Sequence, residues 1–329
     1  MRSFEAELRL KRYEDIGQNE GKNSIVWKGY DEQLNAHFAV KEISKKLLIE
    51  DNQIDFFDES KKLYMNRHPN IAEIQFAAQC PENVYFAMPY YQNGSLNSLI
   101  DTRFLTVKEI IKFSLDFLCG VHYIHTNDLI HLDIKPTNIL FDNNMRAMIT
   151  DFGLSKYTDN YGLAKYSKFY TSHYPPECFS ADVASKSVDI FQAGLTIYRM
   201  CNGSENFKNH FVHLKDKGMD FLKKAILKGN FPSRSYLPHI PKKLRRIINK
   251  AINPDPDKRF DSILEMMNAI SVVNENLDIR CMNSGNKLIW EVDKSNTTLL
   301  RIELEVNDES YTVFGVNINK ISQKSILSY

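Results

Sequence analysis

Between residues 131 and 153 the chain reads HLDIKPTNILFDNNMRAMITDFG, with Asp133, Lys135, Asn138 and Asp151 set among apolar strand formers. The short apolar runs on either side of Asp142, Asn143 and Asn144 predict a hairpin. A turn centred there pairs Asn138 with the stretch from Ile149 to Asp151 and brings Asn138 and Asp151 to one open end. An amide oxygen beside a carboxylate suits Mg²⁺, a hard ion that takes few protein oxygens and completes its shell with water and phosphate. Asp133, just upstream, is free to act as a base, and Lys135 offers a point charge for a phosphate. A metal-ligand pair, a cation and a base are together the parts of phosphoryl transfer. Any one of these residues alone is as well read as a surface group or a turn. Four of them at these offsets, closed by Asp151, Phe152 and Gly153, are not.

The elements that must position them follow from hydrophobic periodicity. Residues 5–45 alternate in period two and predict a meander of three antiparallel strands. A helix is expected from about Asp58 to Asn66, then two strands, IAEIQFAAQC and NVYFAMPYY, before a breaker at Gln92, Asn93, Gly94 and Ser95. From residue 96 the period becomes helical. Thr106 and Glu109 form a capping box ahead of IIKFSLDFLCGVHYIH, a long buried helix on which His122 and His125 read as packing or solvent-facing groups. Residues 185–202, 219–228, 241–252 and 261–274 are further helix candidates. Beyond Asn274, alternation returns in LIWEVD, TLLRIELEV and YTVFGVNI, predicting a three-stranded meander over 278–320 with Trp290, Leu300, Ile302, Leu304 and Phe314 as its core.

The fold class expected is α+β in three parts: a strand-rich lobe over 1–92, a mainly helical lobe over 93–276 and a β-rich appendage over 277–329. Composition agrees with a globular chain. Its 329 residues are 43% hydrophobic and 25% charged, with a net charge of +1. That balance gives no electrostatic footprint for nucleic acid or an acidic membrane surface. The N-terminal stretch lacks an apolar signal-like core, and the most apolar helical run carries Lys112 and Asp116, so no membrane span is expected. Five scattered cysteines without a CxxC pair read as reduced thiols, and the location expected is cytoplasmic.

HLDIKPTNILFD followed by DFG resembles the catalytic and magnesium loops of eukaryotic-type (Hanks-type) serine/threonine protein kinases, a likeness that runs over roughly residues 10–274. The bilobal kinase fold is what that resemblance implies. It further implies that Lys41 in FAVKEI holds the α and β phosphates of ATP, and that Glu59 pairs with Lys41. Gly17, Gly21 and Val26 match the glycine-rich loop, Ala39 the roof of the adenine pocket and Leu140 its floor. Met88 falls at the gatekeeper, and Pro89 to Tyr91 on the hinge. By the same likeness Asn138 and Asp151 hold Mg²⁺, Asp133 accepts the proton of the acceptor hydroxyl and Lys135 neutralises the moving phosphoryl group. Glu177 closes the activation segment against Arg259, and Asp189 braces the catalytic loop. ATP and Mg²⁺ are the implied cofactors and protein serine or threonine hydroxyls the implied acceptors.

Three departures stand out. IGQNEGKNSIVWKG is longer than the family's glycine-rich loop and has Asn19 and Ser24 where glycines might stand. Leu132 takes the place of the arginine that usually precedes the catalytic aspartate, a non-RD variant, so activity without activation-loop phosphorylation is expected. YTSHYPPE is one residue tighter than the usual spacing. Thr158, Ser167, Thr171 and Ser172 are candidate autophosphorylation sites, read equally well as polar groups that keep the loop soluble. Two rival readings are a pseudokinase scaffold and an aminoglycoside-type phosphotransferase. The first is opposed by retention of every catalytic residue, the second by the Asp-Phe-Gly and Glu177–Arg259 signatures. The appendage reads as a site for a regulatory partner. The compact layout and asparagine- and lysine-rich usage point to a bacterial or phage-borne source.

Overall fold

Five antiparallel strands make the first layer: β1 (Lys11–Asp15), β2 (Ser24–Asp31), β3 (Ala36–Ser44), β4 (Phe76–Gln79) and β5 (Asn83–Pro89), in the order β1-β2-β3-β5-β4. This computed structural model describes residues 9–16, 24–50, 57–166, 171–284, 287–293, 298–307 and 310–319. Period two divides β3 between two environments. Phe38 and Val40 pack with Trp27 and Ala87 on one face. Ala39 and Lys41 stand on the other, with Val26 opposite Lys41 and Met88 opposite Ala39 in the register. The β2–β3 turn is closed by Asp31, whose Oδ1 accepts from the amides of Gln33 and Leu34 at 2.8 and 3.0 Å.

Two helices lie between β3 and β4 in the chain, α1 (Lys45–Glu50) and α2 (Asp58–Met65). The first was not expected from the sequence. IAEIQFAAQC forms a strand only over β4. Its first residues leave the sheet because Ile71 and Ile74 are buried instead in the core shared with the helical lobe, and Ile71 bridges to Ile149.

The helical lobe comprises α3 (Leu96–Thr102), α4 (Val107–Thr126), α5 (Lys186–Asn202), α6 (Ser204–Asp216), α7 (Met219–Leu227), α8 (Lys242–Ala251) and α9 (Ile263–Ser271). The capping box at Thr106 and Glu109 is formed, and Ser95 and Ser98 form a second one that starts α3. Helix α4 passes so close to the loop after α2 that a Cβ on Gly120 would lie 2.4 Å from the carbonyl oxygen of Asn70. Glycine is therefore required by contact, not by backbone angle. Helix α6 was missed because only Ser204 and Phe207 are buried along it, which leaves little helical periodicity to read.

Short two-stranded pairings decorate this lobe. Strands β6 (Leu129–Ile130) and β9 (Lys156–Tyr157) pair, as do β7 (Ile139–Phe141) with β8 (Ala147–Ile149) and β10 (Ala164–Lys165) with β11 (Val183–Ala184).

The C-terminal sheet has four strands, not the three expected: β12 (Arg280–Ser284), β13 (Lys287–Asp293), β14 (Thr298–Asn307) and β15 (Ser310–Asn319). Strand β12 escaped notice because Cys281 is its one buried residue, so no alternation is visible. The sheet is fastened to the helical lobe at its β12–β13 side. Trp290 Nε1 donates to His239 Nδ1 at 3.2 Å, and the Leu277 carbonyl accepts from the amide of Lys108 at 3.0 Å. Away from that attachment the expected core is only partly realised. Trp290 is buried and Leu300 and Leu304 are half-buried, but Ile302 and Phe314 are exposed, because β14 and β15 have no layer packed over those side chains among the described residues.

Candidate active site

The loop from His131 to Asn138 connects β6 to β7 and is held from below by α5. Asp189, in the first turn of α5 and fully buried, accepts from the amides of His131 and Leu132 at 2.8 Å each. Its second partner on Oδ2 is His125 Nε2 at 2.7 Å. Burial works against the Asp189 charge, but these hydrogen bonds prevail and hold its pKa below the ordinary carboxylate value. Leu132 takes a left-handed conformation, φ 67°, that an L-residue adopts only at a cost. The bracing by Asp189 maintains it.

Asp133 projects from this loop beside its neighbours. Its Oδ2 accepts from Lys135 Nζ at 2.8 Å and from Asn138 Nδ2 at 2.8 Å. Oδ1 is buried and has no hydrogen-bond partner among the described residues. A buried acceptor in that condition is costly unless a substrate donor meets it. The hairpin of β7 and β8 forms as expected, with Ile139 opposite Ile149 and the Thr150 amide donating to the Asn138 carbonyl at 2.9 Å. Asn138 and Asp151 therefore sit at its open end. His131 lies behind them, accepting from the Asp133 amide at Nδ1 and facing the Thr150 carbonyl at 3.1 Å through Nε2. Burial keeps its pKa below 6.5, so the ring is neutral and Nε2 donates.

Lys41 joins the two lobes. Its ammonium lies 2.8 Å from Glu59 Oε1 on α2 and 2.9 Å from Asp151 Oδ1 after β8. Burial would discharge the lysine, but the two carboxylates prevail and hold its pKa well above the ordinary value. Asp151 is correspondingly held well below the carboxylate range despite its burial. Its backbone is left-handed too, with φ 65°.

A cavity of about 480 Å³ opens between the lobes. Val26, Ala39, Lys41, Glu59, Met88, Tyr91, Asn138, Leu140 and Asp151 all border it. Asp133 and Lys135 lie just outside, joined to it through Asn138. Gly17 and Gly21 fall outside the described residues. Tyr90, on the expected hinge, also lines the cavity, as do Ile16, Ser24, Asp101 and Thr150, which were not anticipated as lining residues. Ile16 and Ser24 flank the glycine-rich stretch, so loop spacing could have marked them. Among the described residues no group of three or more His, Cys, Asp or Glu side chains could hold a metal ion.

The segment from Asp151 to Glu177 is anchored at its far end. Arg259, whose side chain is fully buried, makes paired 2.7 Å contacts with Glu177 Oε1 and Oε2. Leu132 sits in an apolar cluster with Ile130, Ala164, Cys178, Ala184 and Val188, with Leu154, Tyr166 and Tyr174 against it. Thr158 is tied to the Asp128 carbonyl through its amide, 2.8 Å, and its hydroxyl, 3.3 Å. Ser172 is half-buried, Thr171 enters a short 3-10 turn, and Ser167 is outside the described residues.

The family described as "Protein kinase domain" matches residues 10–270. Serine/threonine-protein kinase ppk21 of Schizosaccharomyces pombe is 30% identical over 199 residues, 57% of this chain and 36% of that protein. The cAMP-dependent protein kinase type 3 of Saccharomyces cerevisiae is 29% identical over 257 residues, 77% of this chain and 59% of that protein. Human 3-phosphoinositide-dependent protein kinase 1 is 28% identical over 270 residues, 77% of this chain and 45% of that protein. The chain thus spans between about a third and three fifths of the length of these relatives.

Proposed function

This chain belongs to the protein kinase domain family, and from that premise we propose that it is an ATP-dependent serine/threonine protein kinase, able to phosphorylate itself. The observation that carries the reading is the convergence on one cleft of two groups: Lys41 with Glu59 and Asp151, and Asp133 with Lys135 and Asn138. The names of the similar kinases support serine and threonine as acceptors. So does Lys135, two residues past the base.

In this mechanism Lys41, fixed by Glu59, meets the α and β phosphates. Ala39, Val26, Met88, Tyr91 and Leu140 enclose the adenine. Gly17 and Gly21 cover the phosphates in the same reading. The acceptor hydroxyl donates to the unpartnered Oδ1 of Asp133 and loses its proton there as the new P–O bond forms and the bond to the ADP oxygen breaks. Lys135 holds negative charge near the transferred group. Positioning and electrostatics carry such a reaction.

Asn138 and Asp151 suit Mg²⁺. Asn138 spends its amide nitrogen on Asp133, which leaves the carbonyl oxygen for a cation, and Asp151 is held ionised by Lys41. Two protein oxygens at a phosphate site are the donor set this ion takes, and when bound it supplies charge neutralisation of the phosphates.

We divide the chain into an ATP-binding lobe at 1–92, a catalytic lobe at 93–276 and an appendage at 277–329 that recruits a regulatory partner. Incubation with Mg²⁺ and γ-labelled ATP, alone and with a generic protein substrate, tests the function. Label on serine or threonine is expected with the wild type and not with Asp133→Asn. Nucleotide binding without any transfer would turn the reading to a scaffold. Removal of residues 277–329 with no change in stability, activity or interactions would sink the role given to the appendage.

A further inference from the structure

Helix α5 does more beneath the catalytic loop than present Asp189. Asp189, Gln192, Thr196 and Arg199 recur at helical spacing, and in a helix with this little exposed surface all four are buried: three at 0% exposure and Arg199 at 5%. A polar stripe inside a core is costly unless each member is satisfied, so its partners indicate its purpose. Gln192 divides its amide between the two sides of Asp133. Its Oε1 accepts from the Ile134 amide at 3.0 Å, and its Nε2 donates to the Leu132 carbonyl at 3.0 Å. The same Nε2 faces the carbonyl of His173 at 3.4 Å. His173 lies in the segment before Glu177, and its ring answers from the other direction. Nδ1 lies 3.1 Å from the Ile134 carbonyl, while Nε2 faces Arg199 at 3.5 Å. Thr196 Oγ1 completes the set at 3.5 Å from that same carbonyl.

The peptide groups immediately before and after Asp133 are therefore gripped by side chains and joined to the activation segment by the same side chains. We infer that Gln192, acting with His173, is a positioning residue that fixes the backbone on both sides of Asp133 and couples it to the end of the activation segment. The inference rests on the kinase reading above for its effect on catalysis, but its structural content stands apart from it. Asp189 holds the amides of His131 and Leu132, so it sets where the loop begins. Among the described residues only Gln192 reaches the Ile134 amide and the Leu132 carbonyl, the groups that set the direction of the Asp133 side chain. Glutamine is required chemically. A residue of the same length must accept at one atom and donate at another, which methionine cannot do and glutamate can do only in part.

The test uses the full chain with Gln192→Met, near in volume and without hydrogen bonds, and with His173→Phe. Three quantities are read: the affinity for Mg²⁺ with a non-hydrolysable ATP analogue, kcat per folded molecule, and amide exchange at Ile134. Expected for Gln192→Met is analogue affinity within about twofold of wild type, because every cavity-lining side chain is untouched. A kcat lowered by roughly a hundredfold is expected, the scale of a misplaced catalytic group. Exchange at the Ile134 amide should quicken about tenfold, while Leu132, still held by Asp189, keeps its protection. Combining Gln192→Met with His173→Phe should lower kcat by less than the product of the two single effects, because both side chains hold Ile134, one at its amide and one at its carbonyl, and Gln192 also bonds the His173 carbonyl.

A kcat per folded molecule equal to that of the wild type, with total activity lost only in proportion to the folded fraction, would overturn the proposal in favour of a general packing role. So would unchanged Ile134 exchange. If the wild type binds the analogue but transfers no phosphate, the kinase reading fails, and the exchange measurement still decides the positioning role.

Discussion

Leu132→Ala is the sharpest probe of how the activation segment is held. Leu132 is 1% exposed and is enclosed by Ile130, Ala164, Cys178, Ala184 and Val188, with Tyr166 and Tyr174 alongside. Three of these, Ala164, Tyr166 and Tyr174, belong to the activation segment, so the side chain is a bridge between that segment and the catalytic loop. Truncation removes about three carbons from a closed apolar site, and such a change costs about 2–5 kcal/mol through lost transfer energy and the residual cavity. Alanine keeps the left-handed backbone cost at φ 67°, so the difference isolates the side chain. For a chain of this size the midpoint should fall by roughly 2–4 °C per kcal/mol, or about 6–12 °C at an intermediate loss of about 3 kcal/mol. Calorimetry measures that, and hydrogen exchange over residues 164–178 should quicken more than exchange in α8. Wild-type activity should survive phosphatase treatment, because apolar packing here does the ordering that a phosphate on the segment would otherwise do. A Leu132→Ala variant with an unchanged midpoint and unchanged segment exchange, or wild-type activity abolished by phosphatase, would refute the reasoning.

Arg259→Met should destabilise the chain by about 3–5 kcal/mol, because it leaves Glu177 facing a site built for a guanidinium; denaturant unfolding checks it. Glu59→Gln should lower kcat by roughly ten- to a hundredfold, since Lys41 keeps Asp151 but loses the ion that aims it from α2; steady-state kinetics decides. Acid should loosen the C-terminal sheet. His239 is buried and its pKa is lowered by burial to about 4, so between 6.5 and that value the unfolded chain binds a proton the folded chain does not. Stability is then lost as pH falls through that window, by up to about 3 kcal/mol. His131 and His173 push in the same direction, so the local readout is Trp290 emission in a Trp27→Phe background. The transition should vanish in His239→Phe, and a pH-independent Trp290 signal would count against the assignment.

How much of this was legible in the sequence depends on whether a residue acts through its own backbone neighbourhood or across the fold. The β7–β8 hairpin was readable because its turn residues and its two apolar runs are local, and that hairpin carries Asn138 to Asp151. The strands around Lys41 were readable because turn signals bound short strand-forming runs, although β3 buries Phe38, Ala39 and Val40 in succession. What escaped was contact between distant segments. His125 looked like a packing residue on α4, yet its ring meets Asp189, a residue 64 positions away. Gln192 was one polar residue inside an apolar helix, with no local pattern to say that the catalytic loop lies against it. Strand β12 and helix α6 failed for the opposite reason: both are mostly exposed, so burial imprinted no period on them. The exposure of Ile302 and Phe314 could not be foreseen, because alternation shows that a strand has two faces but not whether both are covered.

The two halves of the cleft are organised differently, and the difference bears on where control can act. Lys41, Glu59 and Asp151 come from a strand, a helix and a loop; α2 also reaches the Ser155 carbonyl through Lys62 Nζ at 2.6 Å and packs Leu63 into the core with Ile43 and Phe86, so the geometry of the trio depends on how α2 sits against the sheet. Each partner is partly buried, and loss of any one leaves charge unmatched in a poorly solvated place. The Asp133 loop has no such dependence. Asp189 and Gln192 hold it through four neutral or charge-assisted bonds to backbone groups on a single rigid helix, and α5 is packed on every side. Moving α2 by the width of one hydrogen bond would separate Lys41 from Glu59 while leaving Asp133 where it is. The ATP-facing half is therefore the adjustable one, and the acceptor-facing half is preset by α5 and by the Leu132 cluster. A change that shifts α2 should therefore alter the Lys41–Glu59 contact before it disturbs Asp133.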